Sequence, residues 1–151
     1  MALRIAVGAD HAGFALKQVL VERLRGAGHE VVDLGTTSEE SVDYPVYAHA
    51  VAVKVATGEV EHGLLVCGTG LGMCIAANRH AGVRAADCVT VAMADMARRH
   101  NDSNLLCLGA RLLDEAQAST ILEAWLTTPF EGARHERRVA QIDDLAPAAE
   151  R

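Results

Sequence analysis

Short aliphatic runs alternate with segments of helical spacing along almost the whole chain, and glycines lie at most of the boundaries between them. The five runs predict strands at 3–7, 30–34, 63–67, 82–86 and 104–108. Apolar spacing and the boundary residues predict helices at 14–24, 46–55, from the glycines near 70 to about 79, 89–100, 114–126 and 131–145. The chain therefore has a strand–helix–strand rhythm from its first residues onward.

This rhythm predicts the fold class. Strands with few polar residues are typical of a sheet covered on both faces, and alternating strands and helices favour parallel pairing through right-handed crossovers. We expect an α/β protein: a Rossmann-like three-layer α/β/α sandwich around a five-stranded parallel sheet. A single domain should span residues 1–145, and residues 146–151 should form a frayed C-terminal tail.

Composition excludes several classes of function. The net charge of −6 argues against nucleic-acid and anionic-membrane partners, which select basic surfaces. No apolar run approaches the roughly 18–20 residues of a membrane span. The four cysteines form no CxxC pair, so the usual spacing of a zinc site or redox dithiol is missing. We expect a reduced, cytoplasmic protein with an aliphatic core, since only 3% of the residues are aromatic.

Ligands of parallel α/β sheets bind beyond the carboxyl ends of the strands, and the segment Cys67-Gly68-Thr69-Gly70-Leu71-Gly72 follows the third strand. Its glycines allow close backbone approach, and the helix that follows favours an anion. The segment is not a Walker loop, since no Gly-Lys-Ser/Thr is present, and it is GxGxG rather than GxGxxG. A phosphatase loop would carry Arg where Met73 stands. Nucleotide binding remains open, with Asp87 near the position of a ribose-binding acid.

Chemically useful side chains follow two of the strands. Cys67 ends the third strand and faces a helix N-terminus, where a thiolate is stabilised, so it is a candidate for chemistry rather than a structural cysteine. Asp10 and His11 end the first strand and could form an acid–base pair. A helix cap by Asp10 is an equally good interpretation of the local sequence.

Two polar groups lie further along the chain. His100-Asn101-Asp102 ends the fourth helix, where a solvated helix end is the ordinary alternative to a functional site. Arg134 and Arg138 are four residues apart and share one helix face, so together they could bind a phosphate. A solvated basic face is the commoner meaning of such a pair.

Five separated blocks resemble the signature segments of the ribose-5-phosphate isomerase B family, which includes galactose-6-phosphate and allose-6-phosphate isomerases. These blocks are GADHAGFALK, DYPVYA, CGTGLGMCIAANRHAGVRA, RRHNDSNLLCLGAR and FEGARHERRV. They follow the family's order and cover the chain from residue 5 to about 139. Some members lack the cysteine and carry a Glu just after the glycine loop. Here Cys67 is present and Met73 occupies that position, which implies the cysteine-dependent group.

The resemblance implies an aldose–ketose isomerase of a sugar phosphate that uses no metal or cofactor. Its site would lie at the interface of a homodimer, or of a dimer of dimers, and would draw on both subunits. Cys67 would be the base that moves a proton between C1 and C2, with Thr69 beside it. His100 would assist opening of the sugar ring, with Asp10 as a helper.

The resemblance also implies how substrate is bound. Backbone N–H groups from Gly68 through Gly70, Leu71 and Gly72 would hold the enediolate oxygen, which is usually the largest contribution to this kind of catalysis. The remaining contacts would be His11, Arg111, Arg134 and Arg138 to the phosphate, and Tyr44 and Asn101 to the sugar.

The identity of the sugar stays open at this stage. Ribose 5-phosphate is the leading expectation, with a tetrose or hexose phosphate as the alternative, and size selection is expected from residues 35–45, Leu71 and Met73. A non-catalytic module that binds a sugar phosphate or nucleotide is a further alternative. The presence of Cys67 and His100 argues against it, since a pure binder needs neither.

Overall fold

The computed structural model describes residues 1–145, so the predicted tail at 146–151 lies outside the described residues. The strands are β1 Arg4–Ala9, β2 Glu30–Asp33, β3 His62–Cys67, β4 Ala85–Asp87 and β5 Leu105–Gly109. The helices are α1 Phe14–Gly26, α2 Tyr44–Ala56, α3 Leu71–Ala77, α4 Val91–Asn101, α5 Glu115–Thr127 and α6 Arg134–Ala140.

The five strands form one parallel sheet in the order β2-β1-β3-β5-β4, which confirms the predicted fold class. At its centre, β3 and β5 pair so that Cys67 lies opposite Gly109, and Gly63 lies opposite Leu105. The carboxyl ends of β1, β3 and β5 therefore meet at one edge of the sheet.

Helices cover both faces of the sheet. Side chains of α1, α4 and α5 pack against alternate strand residues such as Val66 and Leu108 on one face. Side chains of α2 and α3 pack against Leu65, Cys67 and Cys107 on the other. Successive residues of a strand point to opposite faces, so both must be apolar when both faces are covered. This requirement explains the unbroken aliphatic runs in the sequence.

Two predicted elements differ from the structure. The fourth strand is shorter and later than the predicted 82–86, since Val83 N–H closes a turn on the His80 carbonyl and regular pairing begins at Ala85. The last helix spans Arg134–Ala140 rather than 131–145. Gly132 and Ala133 have φ angles of 68° and 51°, which a right-handed helix cannot contain, so the helix begins after them.

An ion pair between Lys17 of α1 and Asp33 of β2 connects the first helix to the second strand. Lys17 is 1% exposed, and its Nζ donates to the two oxygens of Asp33 at 2.7 and 2.9 Å and to the Thr36 carbonyl at 2.8 Å. The full set of donors is thus satisfied, which a buried ammonium group requires. None of the helices within residues 1–145 has the length and apolar character needed to cross a bilayer.

Candidate active site

Cys67 is the last residue of β3, and the loop that follows turns back over its side chain. The thiol is buried, and the backbone N–H of Gly70 donates to Sγ at 3.1 Å. Gly70 adopts a φ of 82°, which favours glycine, at the position where the loop turns into α3. The loop thereby places a donor where it stabilises a thiolate.

Other side chains pack closely against two glycines of the loop. A Cβ on Gly72 would fall 2.7 Å from the ring of Tyr44, and one on Gly68 would fall 3.1 Å from Nη1 of Arg111. Tyr44 is the first residue of α2 and is 41% exposed. The structure therefore brings Tyr44 and the Arg111 guanidinium to the glycine loop.

Asp87, at the carboxyl end of β4, lies behind the same loop. Its Oδ1 would be 2.2 Å from a Cβ on Gly70 and has no hydrogen-bond partner among the described residues. Burial raises the pKa of Asp87 to about 6. The sequence suggested a ribose-binding acid at this position, whereas the structure turns the carboxyl group toward the loop backbone close to the cysteine.

Asp10 and His11 lie at the same edge, directly after β1. Asp10 is buried, and its Oδ1 accepts from the N–H of Gly13 at 3.1 Å, which stabilises the turn before α1 rather than the first turn of the helix. His11 Nδ1 accepts from the N–H of Val42 at 3.2 Å. This bond fixes the ring and leaves Nε2 as the nitrogen that can reach a ligand.

His100 lies elsewhere, at the end of α4, where its ring stacks on that of His135. The ring centroids are 4.5 Å apart with 16° between the planes. Glu131 lies beside them, with its Oε2 3.4 Å from Nε2 of His135 and its Oε1 3.6 Å from Nη1 of Arg99. Burial lowers the pKa of His135, and the charges of Arg134 and His100 lower it further.

The expected site residues thus fall into two groups at opposite edges of the sheet. Helix α4 runs back from the carboxyl edge, and its last residue is followed within four residues by the start of β5. The five residues of β5 separate the two edges by about 16 Å of extended strand. The carboxyl-edge group is Asp10, His11, Tyr44, Cys67, Gly68, Thr69, Gly70, Leu71, Gly72 and Arg111. The amino-edge group is His100, Asn101, Arg134 and Arg138.

Two residues beside the amino-edge group, Glu131 and His135, are not among the site residues that the sequence predicts. The sequence does carry a signal for these two residues, because they are four apart in FEGARH and His135 directly follows Arg134. Only the structure reveals the stacking on His100, since α6 begins more than thirty residues after α4.

Comparison with known proteins agrees with this architecture. The ribose/galactose isomerase family matches residues 5–142. Ribose-5-phosphate isomerase B of Escherichia coli is 49% identical over 139 residues, which cover 92% of this chain and 93% of the relative. The chain therefore belongs to the ribose/galactose isomerase family.

Solved structures show which members of this family the chain resembles. Ribose 5-phosphate isomerase from Thermotoga maritima is 50% identical with a TM-score of 0.94, over 96% of this chain and all of that one (100%). Ribose-5-phosphate isomerase B from Mycoplasma genitalium, solved with bound ribulose-5-phosphate, is 39% identical with a TM-score of 0.90, over 93% and 94% of the two chains. The chain is an aldose–ketose isomerase of the ribose-5-phosphate isomerase B type.

Proposed function

We propose that the protein interconverts ribose 5-phosphate and ribulose 5-phosphate through an enediolate, with Cys67 as the base. The observation that carries this proposal is the burial of Cys67 at the carboxyl edge with its sulfur bonded to the Gly70 N–H. Three relatives or solved structures with this activity in their names align over more than nine-tenths of the chain.

Proton transfer begins on the open-chain sugar. The Cys67 thiolate removes the C2 proton of the aldose, and the electron pair moves onto the carbonyl oxygen to form the enediolate. The same proton returns to C1 while a proton passes from O2 to O1, which gives the ketose. Gly70 holds the sulfur in position, and the backbone N–H groups of the loop around Gly68 and Gly72 stabilise the oxygen on which charge develops.

Substrate binding and ring opening use the remaining residues. His11, Arg111, Arg134 and Arg138 bind the phosphate, which supplies binding energy far from the reacting carbons. Tyr44 and Asn101 contact the sugar, and Thr69 lies beside the base. His100 moves a proton between the ring oxygen and the anomeric hydroxyl, and Asp10 assists at the carboxyl edge.

A single chain cannot combine these residues, and we infer that two copies do. Cys67 and His100 lie at opposite edges of one sheet, so a two-fold pair with the glycine loop of one copy against the end of α4 of the other would complete both sites. The apolar surface beside the loop supports this arrangement. Leu71 and Ile75 are 59% and 68% exposed on one face of α3, and such patches mark contact surfaces.

An activity assay on four sugars tests the proposal. Ribose 5-phosphate is incubated with the protein and a chelator, in parallel with allose 6-phosphate, galactose 6-phosphate and a tetrose phosphate. We expect turnover of the pentose at a kcat of about 1–10³ s⁻¹. Strong activity on another sugar alone would refute the substrate and keep the reaction. Binding of these sugar phosphates without turnover would refute the reaction itself.

A further inference from the structure

His100, Glu131 and His135 form a cluster of metal-ligating groups, of which the proposed isomerisation uses only His100. One nitrogen from each imidazole and one carboxylate oxygen lie within 4.8 Å of one another. We propose that these three residues bind a divalent metal ion of the transition series, with Zn²⁺ as the representative ion. Two imidazoles and one carboxylate form a known zinc-binding set that leaves a fourth position for water or another ligand.

His135 provides the strongest reason to expect a ligand. The residue is 5% exposed, and its Nε2 makes no hydrogen bond among the described residues, although Glu131 Oε2 is 3.4 Å away. A buried nitrogen without a partner costs free energy. A metal ion between Nε2 and the carboxylate oxygen would satisfy both atoms.

The surrounding contacts orient the Glu131 carboxylate, and metal binding requires a movement of His100. Arg99 binds Oε1 of Glu131, so Oε2 is the oxygen turned toward His135. The rings of His100 and His135 are stacked with 16° between their planes, so the in-plane lone pairs of their nitrogens are nearly parallel, and one ring must tilt for both to bind the same ion. Tetrahedral Zn²⁺ with bonds of about 2.0–2.1 Å needs its ligand atoms closer together than they now lie, by about 1.5 Å at most. His100 is half-buried at a helix end, where its side chain can make that movement.

The ligand atoms of these three residues also favour one class of metal ion. Imidazole nitrogens favour Zn²⁺ and its transition-metal neighbours, whereas Mg²⁺ and Ca²⁺ prefer sites made only of oxygen. Arg134 and Arg138 lie on the same short helix as His135 and oppose a cation, so we expect affinity below that of a structural zinc site.

Metal binding would have a consequence for catalysis that rests on the proposed function. A metal-bound His100 cannot move the proton needed for ring opening, so Zn²⁺ should inhibit turnover of the cyclic sugar and a chelator should restore it. Binding itself does not depend on that role. The two statements can therefore fail separately.

Titration of the intact protein with Co²⁺, followed by competition with Zn²⁺, tests the site by visible absorption. We expect one Co²⁺ per chain with the spectrum of tetrahedral nitrogen and oxygen ligands and no thiolate charge-transfer band. Glu131→Gln removes the exposed carboxylate, and His135→Phe keeps a ring for stacking. Each should weaken Co²⁺ binding by more than about tenfold, a loss that even outer-shell changes cause.

A matched control is available on the same molecule. His49 Nδ1 and His80 Nε2 lie 2.7 Å apart on the surface and could also attract a metal. The double variant His49→Ala/His80→Ala should bind Co²⁺ like the parent. The proposal is wrong if the parent binds no Co²⁺, if a thiolate band forms, if the control loses binding, or if Glu131→Gln keeps full affinity. The Gln variant changes an exposed side chain, so it decides the question even where His135→Phe fails to fold.

Discussion

The sulfur of Cys67 accepts a hydrogen bond from the backbone N–H of Gly70 at 3.1 Å, so the third residue of the loop fixes the side chain of the residue that precedes the loop. This contact fixes the proposed base at the end of a strand of the sheet. Strand β3 sets the position of the sulfur, and the loop that follows presents a backbone donor to it.

Removal of the thiol is the first test of that arrangement. Cys67→Ala should lower kcat by about 10²–10⁴-fold, the usual contribution of a positioned base, while affinity for ribose 5-phosphate stays within a few-fold. Steady-state kinetics and isothermal calorimetry measure the two quantities. Cys88→Ala is the control, because Cys88 is buried on the other face of the sheet and should keep near-parental kcat. Undiminished turnover by Cys67→Ala would show that the base lies elsewhere.

Gly70 should tolerate no side chain. Comparison with Gly82 separates the cost of backbone strain from the cost of a steric clash. Gly70 and Gly82 have nearly equal φ angles of 82° and 81°, but a Cβ on Gly70 would lie 2.2 Å from Asp87 Oδ1, whereas one on Gly82 would meet nothing within 4 Å. Gly82→Ala should cost only the strain of the backbone, about 1–2 kcal/mol of unfolding free energy. Gly70→Ala should cost more and also lower kcat. Equal losses of stability with equal kcat would contradict the described loop.

The fold was predictable from the sequence because each central strand must be apolar on both faces. The predicted spans of β1, β3 and β5 differ from the observed ones by at most two residues at each end. Where that constraint weakens, the prediction was wrong. The segment before Ala85 forms a turn instead of a strand, and the left-handed residues Gly132 and Ala133 shorten the last helix.

The sequence proposes which residues form the site, but it does not give their arrangement. Motifs identify Cys67 and His100, yet they do not say that the two residues lie at opposite edges of one sheet. The order of elements does contain that fact, since a helix that follows a parallel strand returns to the amino edge. The pairing of His100 with His135 depends on how α6 packs, which no local pattern specifies.

A buried hydrogen bond made by the single tryptophan should contribute to the free energy of unfolding. Trp125 is 1% exposed, and its Nε1–H donates to Ser103 Oγ at 2.7 Å. Ser103→Ala leaves that donor buried without a partner and should lower the free energy of unfolding by about 1–3 kcal/mol. Ser119→Ala is the matched control, since Ser119 Oγ is buried and has no hydrogen-bond partner within residues 1–145. Urea denaturation of both variants measures the difference, and equal midpoints would refute the role of this bond.

His62 should make the protein less stable in acid. Burial lowers the pKa of His62 to about 4 from an ordinary 6.5, so the folded state resists protonation more than the unfolded state does. Stability is then complete above pH 6.5 and falls as the pH drops from 6.5 toward 4, by at most about 3 kcal/mol from this group.

A variant isolates that contribution. His62→Phe keeps an aromatic ring against Trp125, which the imidazole meets edge-on at 4.8 Å. Urea denaturation followed by circular dichroism across this pH range should show a smaller acid loss for His62→Phe than for the parent. Parallel pH profiles for the two proteins would mean that His62 does not titrate between the folded and unfolded states as described.

The central claim is that each site joins Cys67 of one copy to His100 of another, and mixing two inactive variants tests it most directly. Cys67→Ala and His100→Ala are purified separately, mixed in equal amounts, dissociated and reassembled, and then assayed on ribose 5-phosphate. Half of the reassembled dimers should be hybrids with one intact site, which restores about a quarter of parental activity. If the mixture stays as inactive as its components although hybrids have formed, both residues act within one chain and the account is contradicted.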